Sequence, residues 1–160
     1  MMQVVIRKMV EADRARVIEI LSHWNLAPRD QMPCPESTGL DTPGAPFVAE
    51  VDGRIVGCAS YILHPKQRAE TGSHAVDPAV RGLGVGAKLQ RARLAELKAL
   101  GIGSVFTETD RPEVIDWLIR KFGYRITGTR RKSHAFSLEG VDHWTVLELD
   151  LSQWRPQVSS

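Results

Sequence analysis

The stretch from Glu70 to Gly101, ETGSHAVDPAVRGLGVGAKLQRARLAELKALG, constrains the rest of the chain more than any other. It opens with Gly72–Val76, a short run that reads as a buried strand. Pro78 ends that run, because proline lacks a backbone donor and fixes its own φ. Arg81, Gly82, Gly84 and Gly86 follow, interleaved with Leu83 and Val85. A segment rich in Leu, Ala, Lys and Arg then runs to Gly101, a residue suited to the position just past a helix end. The order is therefore strand, glycine-rich turn, helix. Glycines let the turn adopt unusual φ and leave its N–H groups facing outward. The helix start adds orphan donors and the positive end of a macrodipole. Such a junction is an anion site, and phosphates fit it best.

The chain on either side supplies more elements. Gln3–Met9 reads as a strand. Ala12–Trp24 carries Val17, Ile20, Leu21 and Trp24 at i, i+3, i+4 and i+7, one helix face. Asn25–Pro46 holds five prolines and two glycines and reads as a long irregular loop, a kind that is often functional. Phe47–Val51 and Arg54–Leu63 flank Asp52-Gly53, a strong hairpin signal. Gly57 inside the second strand signals a bulge or close packing. Lys66–Ala69 reads as a turn before the next strand, which starts near Glu70.

Ser104–Thr109 is the next strand. Asp110 then reads as an N-cap, with Glu113 completing a capping box and Pro112 in the first turn. Val114, Ile115, Leu118, Ile119 and Phe122 mark the helix face, and Gly123 ends it. Tyr124–Thr129 and Trp144–Leu151 are the last strands, joined by a polar loop, Arg130–Asp142. The tail 152–160 is expected to fray. The order β-α-loop-β-β-β-α-β-α-β-β gives a mixed sheet with helices on both faces, an α/β or α+β sandwich.

At 160 residues, with 42% hydrophobic and 25% charged residues, the chain is one soluble-type domain with its core over about 3–151. A net charge of +2 is too small to argue for nucleic acid as partner, and none is expected. The charged N-terminus has no apolar leader, and no membrane span is apparent. Two isolated thiols, Cys34 and Cys58, match no zinc spacing and fit a reducing, cytoplasmic setting. No histidine cluster suggests a metal.

Arg81-Gly82-Leu83-Gly84-Val85-Gly86, preceded by Ala75-Val76-Asp77-Pro78, resembles the acetyl-CoA motif [RQ]-x-x-G-x-[GA] of the GNAT N-acetyltransferase family. Lys121-Phe122-Gly123-Tyr124 resembles the family's turn after its penultimate helix. The element order is similar across residues 3–151. The resemblance implies a splayed GNAT-type sheet of about seven strands and acetyl-CoA as co-substrate. Its pyrophosphate would lie on Arg81, Gly82, Leu83, Gly84, Val85, Gly86 and Ala87, and its pantetheine arm along the backbone of Ala75 and Val76. The resemblance implies acetyl transfer to the amine of a small molecule, amino acid or peptide by direct attack. Val76 N–H would hold the oxyanion.

Glu70, six residues before Val76, leads as general base by its position in the family. An even offset in an unbroken strand sets both on one face; a bulge would change that. His74 and Glu108 are the further catalytic candidates. Where many members carry an acidic Tyr, this chain has Ile119; Tyr61 and Tyr124 are substitutes to consider. Glu113 replaces the family's helix-start Asn. These departures keep a non-catalytic CoA-binding module open as the alternative. A dinucleotide reading also exists, because Gly82-x-Gly84-x-x-Ala87 satisfies G-x-G-x-x-G/A with Glu108 about twenty residues on. The motif follows antiparallel-looking runs, however, which opposes that reading. Trp144 and Trp154 are candidates for core burial or a homodimer contact.

Overall fold

The structure, a computed structural model, describes residues 3–26, 47–80, 82–133 and 136–156. Most of the loop expected over Asn25–Pro46, with Cys34, lies outside these residues, as do Arg81 and His134. The elements in chain order are β1 (Val4–Lys8), α1 (Arg14–His23), β2 (Phe47–Val51), β3 (Arg54–His64), β4 (Arg68–Val76), α2 (Val85–Ala99), β5 (Ser104–Thr109), α3 (Pro112–Phe122), β6 (Arg125–Arg131) and β7 (His143–Asp150). A 3₁₀ turn, Glu11–Asp13, leads into α1. β4 begins two residues before the expected Glu70, because its pairing with β3 and β5 extends to Arg68.

The strands form one seven-stranded sheet in the order β1-β2-β3-β4-β5-β7-β6. Among the described residues only β4 and β5 pair in parallel. The helix α2 is the crossover that this parallel pair requires. The mixed sheet expected from the sequence is what the chain forms.

The two faces bury different helices. Val17, Ile20 and Leu21 of α1 pack on Val48, Ile55, Cys58 and Ala75. Val85 and Leu89 of α2 pack on Ala49, Val51, Val56 and Ala59. Lower on that second face, Leu94 and Leu97 of α2 meet Leu118 and Phe122 of α3 over Ala69, Val105, Leu147 and Leu149.

The hairpin residues Asp52 and Gly53 have φ of 51° and 76°, the positive values that a type I′ turn needs. Close packing at Gly57 is also present. A Cβ there would stand 2.9 Å from Leu89 Cδ1, 3.1 Å from Val85 Cγ1 and 3.2 Å from the Ala75 carbonyl. Lys98 Nζ donates to the carbonyls of Leu151 and Trp154 and ties Trp154 onto the core.

Three local expectations change. Ile119 is exposed and leaves the α3 core face, while Trp117 turns inward onto Phe122 with ring centroids 4.9 Å apart. Asp110 does not cap α3. The cap position is Arg111, without a side-chain cap bond. Asp110 instead buries its carboxylate among donors from the β6–β7 loop. Third, β4 is bulged. Cys58 faces Ala75 and Ser60 faces Gly72, so three steps of β4 span two of β3, and Ser73 takes φ of 49°.

Candidate active site

The bulge sets the geometry. Ala69 packs toward α2, so Glu70 lies on the opposite face by alternation. Beyond the extra residue, Val76 packs toward α2. Glu70 and Val76 therefore occupy opposite faces, and the even offset does not hold.

The same region splits the sheet. β4 and β5 pair only from Arg68–Thr71 against Ser104–Thr107. Thr107 Oγ1 donates to the Thr71 carbonyl at 3.0 Å and closes the apex. Beyond it, β4 runs on to Val76 and β5 to Thr109 without pairing. A cavity of about 140 Å³ lies there, lined by Gly72, His74, Arg93, Glu108, Arg111 and Trp117 among others. Asp77 N–H bonds the Val56 carbonyl in β3 at 2.8 Å. Strand alternation then turns the N–H and C=O of Val76 away from β3 and toward the split. Ala75, by the same alternation, turns its backbone to β3. It does not offer the cleft the groups expected of it.

At the upper end stands the glycine turn. Gly82 and Gly84 have φ of 75° and 66°, and a Cβ at either would meet nothing within 4 Å. Gly84 is the N-cap of α2, and the first turn carries no acidic residue. The first bond of the helical ladder runs from Lys88 N–H to the Gly84 carbonyl. The N–H groups of Gly84, Val85, Gly86 and Ala87 are thus the four orphan donors of the helix start. Leu83 and Val85 pack inward beneath them. The preceding turn is fixed by Asp77, which accepts from Ala79 N–H at 2.9 Å and from Arg16 at 2.5 Å. Those bonds hold its carboxyl below the usual range. An open cradle of unpaired donors at a helix start is a fit for a diphosphate.

Each proposed side chain can now be placed. His74 is half-buried and stacks on Trp117, ring centroids 5.7 Å apart, and its Nε2 lies 3.0 Å from the Gly86 carbonyl. Burial, with the charge of Arg93, pushes its pKa down to about 3. The ring is neutral and Nε2–H donates to the carbonyl, so His74 braces the first turn of α2 against β4. Glu108 lines the cleft with its side chain 12% exposed. Burial raises its pKa, Arg130 at 3.3 Å opposes the rise, and the charge of Glu70 adds to it. Glu70 is paired across β5 with Phe106, two residues before Glu108, so the two carboxylates share a face. Its Oε1 lies 3.2 Å from His64 Nε2, and it does not line the cleft.

The expected acid positions are also settled. Ile119 faces solvent rather than the cleft. Tyr61 donates its hydroxyl to Glu96 at 2.7 Å, and burial pushes its pKa up. Tyr124 is buried against Gln90, also with a raised pKa. Neither tyrosine lines the cleft.

The mouth is built from three segments. Trp24 Nε1 donates to the Val76 carbonyl at 2.9 Å, and the Arg111 guanidinium lies 5.1 Å from the Trp24 ring. Ser137 N–H bonds the Asn25 carbonyl at 3.0 Å. The Asp110 side chain is fully buried and accepts from Lys132 Nζ at 2.7 Å, Ser137 Oγ at 2.6 Å and Leu138 N–H at 2.9 Å. Trp144, whose ring lies 4.5 Å from Lys132 Nζ, lines the cleft, and Trp154 packs on the core. Among the described residues no group of three metal-binding side chains occurs. No helix there is long and apolar enough to cross a membrane.

The model of the acetyltransferase (GNAT) family matches residues 10–124, which hold both the cleft and the glycine turn. The chain belongs to the GNAT family. Solved structures agree on the fold. The ribosomal-protein-S18-alanine N-acetyltransferase from Escherichia coli is 16% identical, with a TM-score of 0.71, covering 99% of this chain and 100% of its own. An N-acetyltransferase from Staphylococcus aureus Mu50 is 20% identical, with a TM-score of 0.68 and coverage of 93% and 99%. The yncA protein from Salmonella typhimurium, solved with its cofactor acetyl-CoA, is 20% identical, with a TM-score of 0.70 and coverage of 99% and 99%. No curated protein matches the chain.

Sequence reasoning missed Arg93 and Arg111, which line the cleft of this GNAT acetyltransferase, and Trp24, which holds the Val76 carbonyl at its mouth. Trp24 and Arg111 come to these places only through the fold. Arg93 had a legible signal. It stands four residues from both Leu89 and Leu97 on the buried stripe of α2, where a charge is out of place.

Proposed function

We propose that this GNAT enzyme transfers an acetyl group from acetyl-CoA to the amine of a small molecule, amino acid or peptide, by direct attack in a ternary complex. The observation that carries this reading is the unpaired stretch of β4 and β5, which opens beside the donor cradle of α2. The diphosphate of acetyl-CoA lies on the N–H groups of Gly84–Ala87, with Gly82 giving the turn its shape. Arg81 is proposed as an added charge-assisted contact. The pantetheine arm enters the split and bonds Val76, whose carbonyl Trp24 must release.

Glu108 is proposed as the general base. It lines the cleft and its raised pKa makes it a stronger proton acceptor than an ordinary carboxylate. Glu70 supports it through its charge on the same face. His74 is too acidic in its protonated form to serve as base at neutral pH, and it acts by bracing the cradle. Val76 N–H, facing the split, is the proposed oxyanion donor. Cys58 forms no acyl intermediate: it is fully buried, and burial pushes its thiol up to about 12. A buried, protonated thiol also fits the cytoplasmic location we propose.

Calorimetry with acetyl-CoA, followed by release of CoA thiol over an amine panel, tests the reading. Binding and amine-dependent release are expected. Gly84→Val should abolish binding without unfolding the chain, because valine resists positive φ while the space around it is open. Unchanged binding by Gly84→Val would refute the cradle. Binding without release over a broad panel would favour the non-catalytic module, the reading that Ile119 supports.

A further inference from the structure

Arg93 is the least expected residue in the molecule. It is 3% exposed, in the middle of α2, and it lines the cleft. Its Nη1 donates to the carbonyls of Ser60 and Gly72, each at 3.0 Å, and its Nη2 to Gln90 Oε1. Its Nε has no partner. No described carboxylate forms an ion pair with it. Cys58 and Tyr124, the titratable groups whose anionic forms would favour its charge, are both held protonated by burial, and His74 beside it is neutral. Burying a cation without a counter-charge is costly, and a hydrogen-bonded neutral side chain would satisfy the same carbonyls at lower cost.

The charge has a use if an anion appears beside it during turnover. We propose that Arg93 is a catalytic residue that stabilises the departing CoA thiolate, in place of the acid that Ile119 cannot provide. This rests on the acetyl-CoA reading above. In the reaction the neutral amine nitrogen attacks the thioester carbonyl carbon, having given its proton to Glu108. The resulting tetrahedral adduct loses the second proton of its nitrogen to water, its C–S bond breaks, and the electron pair leaves on sulfur; Glu108 returns its own proton to solvent after turnover. The thiolate forms in the split floored by Arg93 and takes a proton from solvent after release. An electrostatic partner does this without donating a proton, so no acidic side chain is required.

Among the described residues, the other charged groups facing the split are Glu108 on β5 and Arg111 before α3; His74 on β4 is neutral. Arg111 is the competing source of positive charge. It differs in standing near a carboxylate, with Glu113 Oε1 4.0 Å from its Nη1, and in resting against Trp24.

The test follows the thiol of bound CoA by its thiolate ultraviolet absorbance against pH, in the wild-type protein, Arg93→Lys, Arg93→Met and Arg111→Met. In wild type the bound thiol should titrate about 1–3 pH units below free CoA. Arg93→Lys should keep most of that displacement. Arg93→Met should abolish it and lower kcat on the order of 100-fold with KM for acetyl-CoA little changed. A purely structural Arg93 would leave the bound thiol alone. If Arg93→Met does not fold, Arg111→Met decides: a displacement kept there supports Arg93, and one lost there overturns its role. CoA that binds with an unshifted thiol overturns the role of Arg93 and leaves the acetyl-CoA reading standing. A shift lost in Arg111→Met but kept in Arg93→Met also overturns it. Absence of CoA binding overturns both.

Discussion

Asp110→Ala is expected to destabilise the protein more than any other single change at the cleft mouth. Asp110 Oδ2 lies 2.7 Å from Lys132 Nζ, with the two side chains 0% and 4% exposed. Truncating one member of such a pair leaves the other charge buried, which costs about 3–5 kcal/mol. Lys132 keeps the carbonyls of Phe136 and Leu138, at 2.8 and 3.3 Å, which moves the expectation to the lower end. Ser137 Oγ and Leu138 N–H each lose an acceptor, which moves it back. For a chain of this size the loss corresponds to a Tm drop on the order of 10 °C. Burial raises the Asp110 pKa, but the bonds from Lys132, Ser137 and Leu138 outweigh it and leave it below the ordinary value. The stability it contributes is therefore complete above the ordinary carboxylate pKa. It is lost as pH falls through the depressed folded value. Urea denaturation of wild type, Asp110→Ala, Lys132→Met and the double variant, each across pH, measures the pair. A loss below about 1 kcal/mol in Asp110→Ala, or the absence of any coupling in the cycle, would refute the buried clamp.

Two further outcomes are expected. Gly57→Ala should cost about 1–3 kcal/mol, since its Cβ would stand 2.9 Å from Leu89 Cδ1 beside a backbone carbonyl that cannot yield; equal stability in thermal denaturation would refute that contact. Glu108→Gln should lower kcat/KM about 10²–10⁴-fold and remove the acid limb of the pH profile; because the carboxyl titrates above its ordinary value, that limb should lie on the high side of the carboxylate range, and a limb surviving in the variant would exclude Glu108 as base.

Much of the site was legible because it is local. The glycine turn, the Asp52-Gly53 hairpin and the closing of α3 at Gly123 each depend on which φ a few neighbouring residues accept. Glycine and proline report that directly. Asp110 was misread for a related reason. Its spacing to Glu113 satisfies a capping box, but the loop from Lys132 to Leu138 offers the carboxylate a charge and two further donors. A charged donor delivered by a distant segment outcompetes a neutral one nearby.

By itself the sequence determined the order of elements and the donor cradle at the start of α2, because each follows from backbone rules acting over a few residues. The tertiary structure alone decided which carboxylate faces the cleft. One extra residue at Ser73 reverses the faces of β4 between Glu70 and Val76, and the pairing of β4 with β5 ends at Thr71, so Glu70 lies in the closed part of the sheet while Glu108 lies in the split. It also decided that Arg93 is buried without a counter-charge. Burial and pairing are set by chain segments far apart in sequence, and no local pattern encodes the electrostatic environment they create together.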